Sequence, residues 1–155
     1  MWLPDQVFKT VISSTPLISI DLVVRNEKNE VLLGKRLNAP AKGFWFVPGG
    51  RVQKNETLDN AFIRLLREEL GIESGIVRED ANFTGVFEHF YSDNVFDDEV
   101  STHYIVLGYE FIVNGKFLNY MPRLQHKDYK FFSDEMLLEN RNVHRYTKNY
   151  FLTSN

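Results

Sequence analysis

Apolar and polar positions alternate between Leu17 and Arg25. Ile18, Ile20, Leu22 and Val24 fall on one face, and Ser19, Asp21, Val23 and Arg25 on the other. That two-residue period predicts a β-strand. Residues 30–36 predict a second strand, reached through a turn at 26–29, and residues 44–47 a short aromatic strand ending at Pro48-Gly49-Gly50. Residues 83–91 and 102–113 read as long strands separated by an acidic loop at 92–101. Asn114-Gly115 is a hairpin signal, and residues 128–132 form a last strand after a polar loop at 122–127. Helical spacing appears elsewhere. Val7, Phe8, Val11 and Ile12 make an apolar stripe behind Pro4, and a longer helix is expected from about Thr57 to Leu70, stopped by Gly71. A short helix opens at Ser133 and another is expected over 142–152. Strands mixed with a few helices imply an α+β fold or an α/β sandwich rather than a doubly wound sheet, and the length suits one domain spanning residues 1–155.

Composition narrows the function classes. The net charge of −3 gives no electrostatic case for a nucleic-acid partner, so affinity for phosphates must be local or supplied by a cation. Cysteine is absent, which removes disulfide and thiol chemistry. The opening MWLPDQVF lacks a basic segment leading into an apolar stretch, and no apolar run approaches the ~20 residues that span a bilayer. A soluble, cytoplasmic protein without a membrane partner is expected.

The candidate chemistry lies on the helix at 57–70. At about 100° per residue, Leu58, Ala61, Phe62 and Leu65 share an inward stripe, and Glu69 falls inside it. A carboxylate aimed at a core is unfavourable without compensation, and a divalent cation is one partner that hard oxygen ligands favour. Glu68 lies about a quarter turn away, and Glu56 stands at the helix start, where it also suits the helix dipole. A solvated or arginine-paired glutamate cluster is the plainer alternative.

The segment GRVQKNETLDNAFIRLLREELGI, residues 50–72, resembles the Nudix box, G-x5-E-x7-R-E-U-x-E-E-x-G-U with U aliphatic. Gly50, Glu56, Arg64, Leu66, Glu68, Glu69, Gly71 and Ile72 fall in place. The glutamate expected after the arginine is replaced by Leu65. The resemblance implies an α/β/α sandwich around a mixed sheet, with magnesium as cofactor and manganese as a possible substitute. It also implies metal ligation by Glu69 and by the Gly49 carbonyl. The stretches STPLISIDLVV, LLGKR, GFWFVPGGRVQKNETL, EHFYSDN, THYIVLGYEF and LQHKDY are similar to the GDP-mannose mannosyl hydrolase family, which also lacks that glutamate. In that family water attacks the anomeric carbon of the sugar, giving GDP and the free sugar with inverted configuration. GDP-mannose is therefore the implied small-molecule partner, with GDP-glucose beside it, and a homodimer is the implied assembly.

The missing carboxylate agrees with this. A base at position 65 would stand beside Glu69 and the metal, suited to driving water at a phosphate. Substitution at carbon needs a base on another element, facing the sugar from the side opposite the diphosphate. His126, in the loop PRLQHK, is the candidate, since an imidazole is well matched to proton transfer near neutral pH. A solvated, idle loop histidine is its plainer reading. By analogy Gln125 is a metal ligand, and Glu68 a direct or water-mediated one. Arg36, Arg51 and Tyr104 face the diphosphate, and an arginine fork suits phosphate oxygens. Each has an ordinary alternative as a surface arginine or a strand-packing tyrosine. Asp21 is placed near the sugar, or else is an edge-strand carboxylate. His89 contacts the sugar or orients Asp21. Leu3 and Phe8 match a nucleotide-binding segment, or fill a dimer interface. His103 and His144 are assigned to structure. A conventional Nudix pyrophosphatase releasing GMP and sugar 1-phosphate, and a non-catalytic nucleotide-sugar sensor, remain as alternatives.

Overall fold

A computed structural model describes residues 2–114 and 126–152. Helix α1 (Asp5–Ser14) leads into β1 (Leu17–Arg25), β2 (Val31–Arg36), β3 (Trp45–Phe46) and β4 (Gly49–Arg51). Helix α2 (Leu58–Leu70) and a 3-10 turn (Arg78–Asp80) precede β5 (Asn82–Tyr91) and β6 (Thr102–Ile112). The chain closes with β7 (His126–Phe132), α3 (Asp134–Glu139) and α4 (Arg145–Asn149). The Asn114-Gly115 turn and most of the loop at 122–127 lie outside the described residues.

The sheet runs β3-β2-β1-β6-β5, with β4 added against β1 and β7 against β2. It is mixed, because β1 and β6 run parallel while the other pairs are antiparallel. Strands β1 and β2 pair only near their shared turn, at Arg25 and Val31. Beyond that point β4 takes the place beside β1, and β7 and β3 take the two sides of β2. This divergence carries the glycine segment to the middle of the sheet.

Strand β1 has core on both faces. Ile20, Leu22 and Val24 pack with Phe62, Leu65, Leu66 and Leu70 of α2, together with Tyr109 and Phe111. Val23 packs on the opposite side with Val31, Leu33, Phe132, Leu137, Val143 and Tyr146, beneath α3 and α4. Helices on both faces of a mixed sheet make the expected α/β/α sandwich. The simple inside-outside alternation is corrected by this burial: Val23 belongs to a second core, and Ile18 is half exposed. Asp21 correspondingly stands on a central strand, not an edge.

Helix α2 starts where Thr57 caps it, its hydroxyl accepting from the Asn60 amide, and stops at Gly71, whose φ of 69° is left-handed. Three expectations are corrected. Gly49–Arg51 is a further strand, paired with Asp21, Ile20 and Ser19, beyond the Pro48-Gly49-Gly50 end expected for the aromatic strand. His126 opens β7 with its backbone opposite Arg36, where a loop was read. The last helix covers only Arg145–Asn149 because Val143 is held beside Trp45 in a bridge and His144 caps the helix, its Nδ1 accepting from the Tyr146 amide. No helix among the described residues is long and apolar enough to cross a membrane.

Candidate active site

Pairing of β4 with β1 brings two glycines against the sheet with no room for side chains. A Cβ on Gly49 would lie 2.6 Å from Asp21 Oδ1, and one on Gly50 would lie 2.6 Å from Leu65 Cδ2. The box thus begins as a flat strand wedged between β1 and α2.

Arg64 locks the two halves of the box together. Its Nε donates to Glu56 Oε1 at 2.6 Å and its Nη2 to Glu56 Oε2 at 2.9 Å; Nη2 also reaches the Arg51 carbonyl, at 2.8 Å. Its Nη1 donates to Glu68 Oε2 at 3.0 Å. Glu56 also accepts from the Gln53 amide, and these donors hold its carboxyl below the usual range. Glu56 and Glu68 therefore both pair with Arg64.

Glu69 differs. It projects from the inward face of α2 and is 3% exposed. Desolvation pushes its carboxyl up to about 7, with Arg36 and Arg64 pulling it back and Glu68 and Asp21 adding to the rise. Asp21, across the cavity on β1, is raised to about 7 by burial as well, opposed by a hydrogen bond from Tyr150 and by the charge of Arg36. Arg36 ends β2 and is oriented by its own loop, its Nε donating to the Pro40 carbonyl at 2.8 Å.

The remaining walls are aromatic. His89 on β5 lies flat on Tyr146, with ring centroids 4.4 Å apart. Burial lowers it to about 4, leaving a neutral imidazole at physiological pH. Tyr104 is its cross-strand partner on β6, and burial raises the Tyr104 hydroxyl above its ordinary value. Toward the mouth, the Arg51 guanidinium stacks over Phe8 at 4.8 Å, and Phe8 meets Phe96 edge-on. Lys9 pairs with Asp97 at 2.5 Å, tying α1 to the acidic loop.

These groups surround one cavity of about 390 Å³, within the usual range for small-molecule sites. Leu3, Phe8, Arg51, Asp21, Arg36, His89 and Tyr104 all line it. Gly49, Glu68 and Glu69 form the box wall. Of His126 the structure describes the backbone, beside Arg36. Gln125 lies outside the described residues. Sequence reasoning missed Tyr91 and Phe46, which line the cavity, and Tyr150 behind Asp21. The aromatic stretch 87–91 was the available signal for Tyr91.

The donor chemistry fits magnesium. Glu69, Glu68 and the Gly49 backbone offer hard oxygens on one wall. Among the described residues, no three His, Asp or Glu side chains gather closely enough to hold a metal by themselves. Magnesium characteristically takes one or two carboxylates and completes its shell with ligand phosphates and water.

Known proteins share this fold. A family model described as NUDIX domain matches residues 15–151. The low-salt glycan biosynthesis protein Agl8 of Haloferax volcanii is 38% identical over 148 residues, covering 96% of this chain and 88% of that protein. An ADP-ribose pyrophosphatase of Methanocaldococcus jannaschii is 39% identical over 57 residues, 37% of this chain and 33% of its own length. In fold, the chain resembles the MutT protein of Methanosarcina mazei Go1, with a TM-score of 0.68 and 24% identity over 89% of this chain and 92% of that one.

Proposed function

The chain belongs to the Nudix family, and we propose that it hydrolyses nucleoside diphosphate sugars, GDP-mannose and GDP-glucose among them, to a nucleoside diphosphate and the free sugar. Nudix hydrolases generally use a divalent metal, and magnesium is the cofactor of this reading. The observation that carries it is Leu65. A buried aliphatic side chain stands one turn from Glu69, where the box pattern has an acid beside the metal ligand. No carboxylate at that position can direct water at phosphorus. The likeness to a glycan-biosynthesis protein over most of both chains supports a sugar-bearing substrate.

In the proposed reaction, the oxygen of water forms a bond to the anomeric carbon while the bond from that carbon to the diphosphate oxygen breaks. The bonding pair leaves with GDP, and the water proton passes to a base. His126 is that base. The support is its backbone register opposite Arg36, which places it on the strand neighbouring the cavity wall. Glu69, the Gly49 carbonyl, Gln125 and Glu68 would hold the metal, which would supply positive charge to the departing diphosphate. Arg36, Arg51 and Tyr104 donate to the same oxygens. Leu3 and Phe8 contact the nucleotide, with Phe8 pressed against the Arg51 guanidinium. Asp21 and His89 face the sugar. The enzyme acts as a homodimer.

Incubation with GDP-mannose and magnesium in heavy-oxygen water tests the reading. GDP and labelled mannose are expected. GMP with sugar 1-phosphate, or label in a phosphate, would replace it with the conventional pyrophosphatase. Binding without turnover would make the chain a sensor.

A further inference from the structure

The hydroxyl of Tyr150 donates to Asp21 Oδ2 at 2.5 Å, joining residues 129 positions apart in the chain. Tyr150 is the C-cap of α4 and does not line the cavity. It packs with the core on the face of β1 that Asp21 shares with Val23. The other carboxyl oxygen, Oδ1, lies over Gly49, the glycine of the box wall. One oxygen is thus tied to the C-terminal segment while the other stays with the cavity. A carboxylate with one oxygen anchored cannot rotate about its Cβ–Cγ bond without losing that hydrogen bond, and for a 7% exposed group the loss is costly.

The same hydroxyl lies 3.4 Å from His89 Nε2. His89 is fixed on its own side by the flat stack on Tyr146, whose hydroxyl bonds the Phe90 amide and carbonyl. Phe87 meets the Tyr150 ring edge-on at 4.6 Å and holds it from the sheet. Asp21 on β1 and His89 on β5 are therefore connected through a single phenolic oxygen carried by a third element.

We propose that Tyr150 is a positioning residue for this site, fixing the orientation of Asp21 and coupling it to His89. The proposal rests on the reading that Asp21 faces the reacting sugar. The C-terminal segment then forms part of the active site although it touches no substrate.

Tyr150→Phe removes one oxygen and keeps the ring contacts. With GDP-mannose and magnesium, kcat is expected to fall roughly 10- to 100-fold, the usual size when an orienting partner is lost. KM should stay close to that of the parent protein, while the melting temperature falls modestly because a buried carboxyl oxygen loses its donor. In an Asp21→Asn background, Tyr150→Phe should add little further loss, since the two act as a unit. A lowered melting temperature with unchanged kcat, or losses that multiply independently, would overturn the proposal by making Tyr150 a packing residue only. If Tyr150→Phe does not fold, fluorotyrosine placed at position 150 alone keeps shape and hydroxyl while strengthening the donor. The carboxyl ¹³C resonance of Asp21 should then shift, and an unmoved resonance would overturn the proposal. The two readings fail separately. Release of GMP by the unaltered protein defeats the reaction proposed above, whereas release of GDP with a fully active Tyr150→Phe variant defeats only the role of Tyr150.

Discussion

Gly50 lies directly beneath Leu65: a methyl group added to the glycine would come within 2.6 Å of Leu65 Cδ2. The aliphatic residue that replaces the acid of the box pattern is thus packed onto the residue that opens the box. Gly50→Ala is expected to cost about 1–3 kcal/mol by overpacking, and Leu65→Ala about 2–5 kcal/mol through the cavity it leaves. The double variant should be more stable than the sum of the two losses, because the added methyl occupies part of the vacated space. Urea unfolding of the four proteins measures this coupling, and simple additivity would count against the contact.

Arg64 and Glu56 form a two-nitrogen, two-oxygen pair with side chains 15% and 14% exposed. Arg64→Ala leaves Glu56 without its main counter-charge and is expected to lower stability by about 3 kcal/mol. Arg64→Lys keeps the charge but not the fork, so it should recover only part of that loss. Chemical unfolding at two salt concentrations tests both statements, since a pair this sheltered should respond weakly to salt.

Opposing titrations set the pH dependence of the metal-free protein. Burial, assisted by Arg145 and Arg36, lowers His144 from 6.5 to about 4, and His89 falls similarly. Their contribution to stability is present above 6.5 and is lost as pH falls toward 4, because the unfolded chain takes up protons first. Asp21 and Glu69 act in the opposite sense. Raised from 3.8 and 4.5 to about 7, they favour the folded state at low pH and lose that contribution as pH rises through 7. His144→Asn preserves a helix cap while removing one titrating group, so its stability relative to the parent should rise from pH 7 to pH 5. Asp21→Asn should shift the balance the other way, toward higher pH. Unfolding free energies measured in chelator between pH 5 and pH 8 decide the signs.

Metal and nucleotide should stabilise the protein jointly. The described residues hold no three-ligand cluster, so magnesium alone is expected to raise the melting temperature little. Magnesium with GDP should raise it by several degrees, and Glu69→Gln should remove most of that joint effect. Equal shifts in the variant and the parent would separate Glu69 from the metal.

Much of the architecture was readable from periodicity and caps. The pattern over Leu17–Arg25 marks β1 with the bounds found, though its burial does not alternate, and Thr57 and Gly71 bracket α2 where capping chemistry places them. Strand β4 was hidden because three residues, two of them glycine, carry no periodic signal; its pairing with Asp21 is a tertiary outcome. The second core under Val23 was hidden for a related reason, since alternation cannot reveal that both faces of a strand are covered. In the candidate site, the spacing of the box brought Glu68, Glu69 and Arg64 into view together. The Tyr150–Asp21 bond left no local trace, because hydrogen bonds between distant segments depend on how α4 lands on the sheet.

Strand β1 has consequences for how this scaffold diversifies. Its side chains are committed alternately to two hydrophobic layers, and Asp21 is inserted among them. Exchanging residues along that ribbon would disturb folding before it altered ligand choice. New selectivity therefore has to be written at the periphery, in α1, the 92–101 segment and the stretch after β2, where chain length and composition can drift while the floor stays fixed.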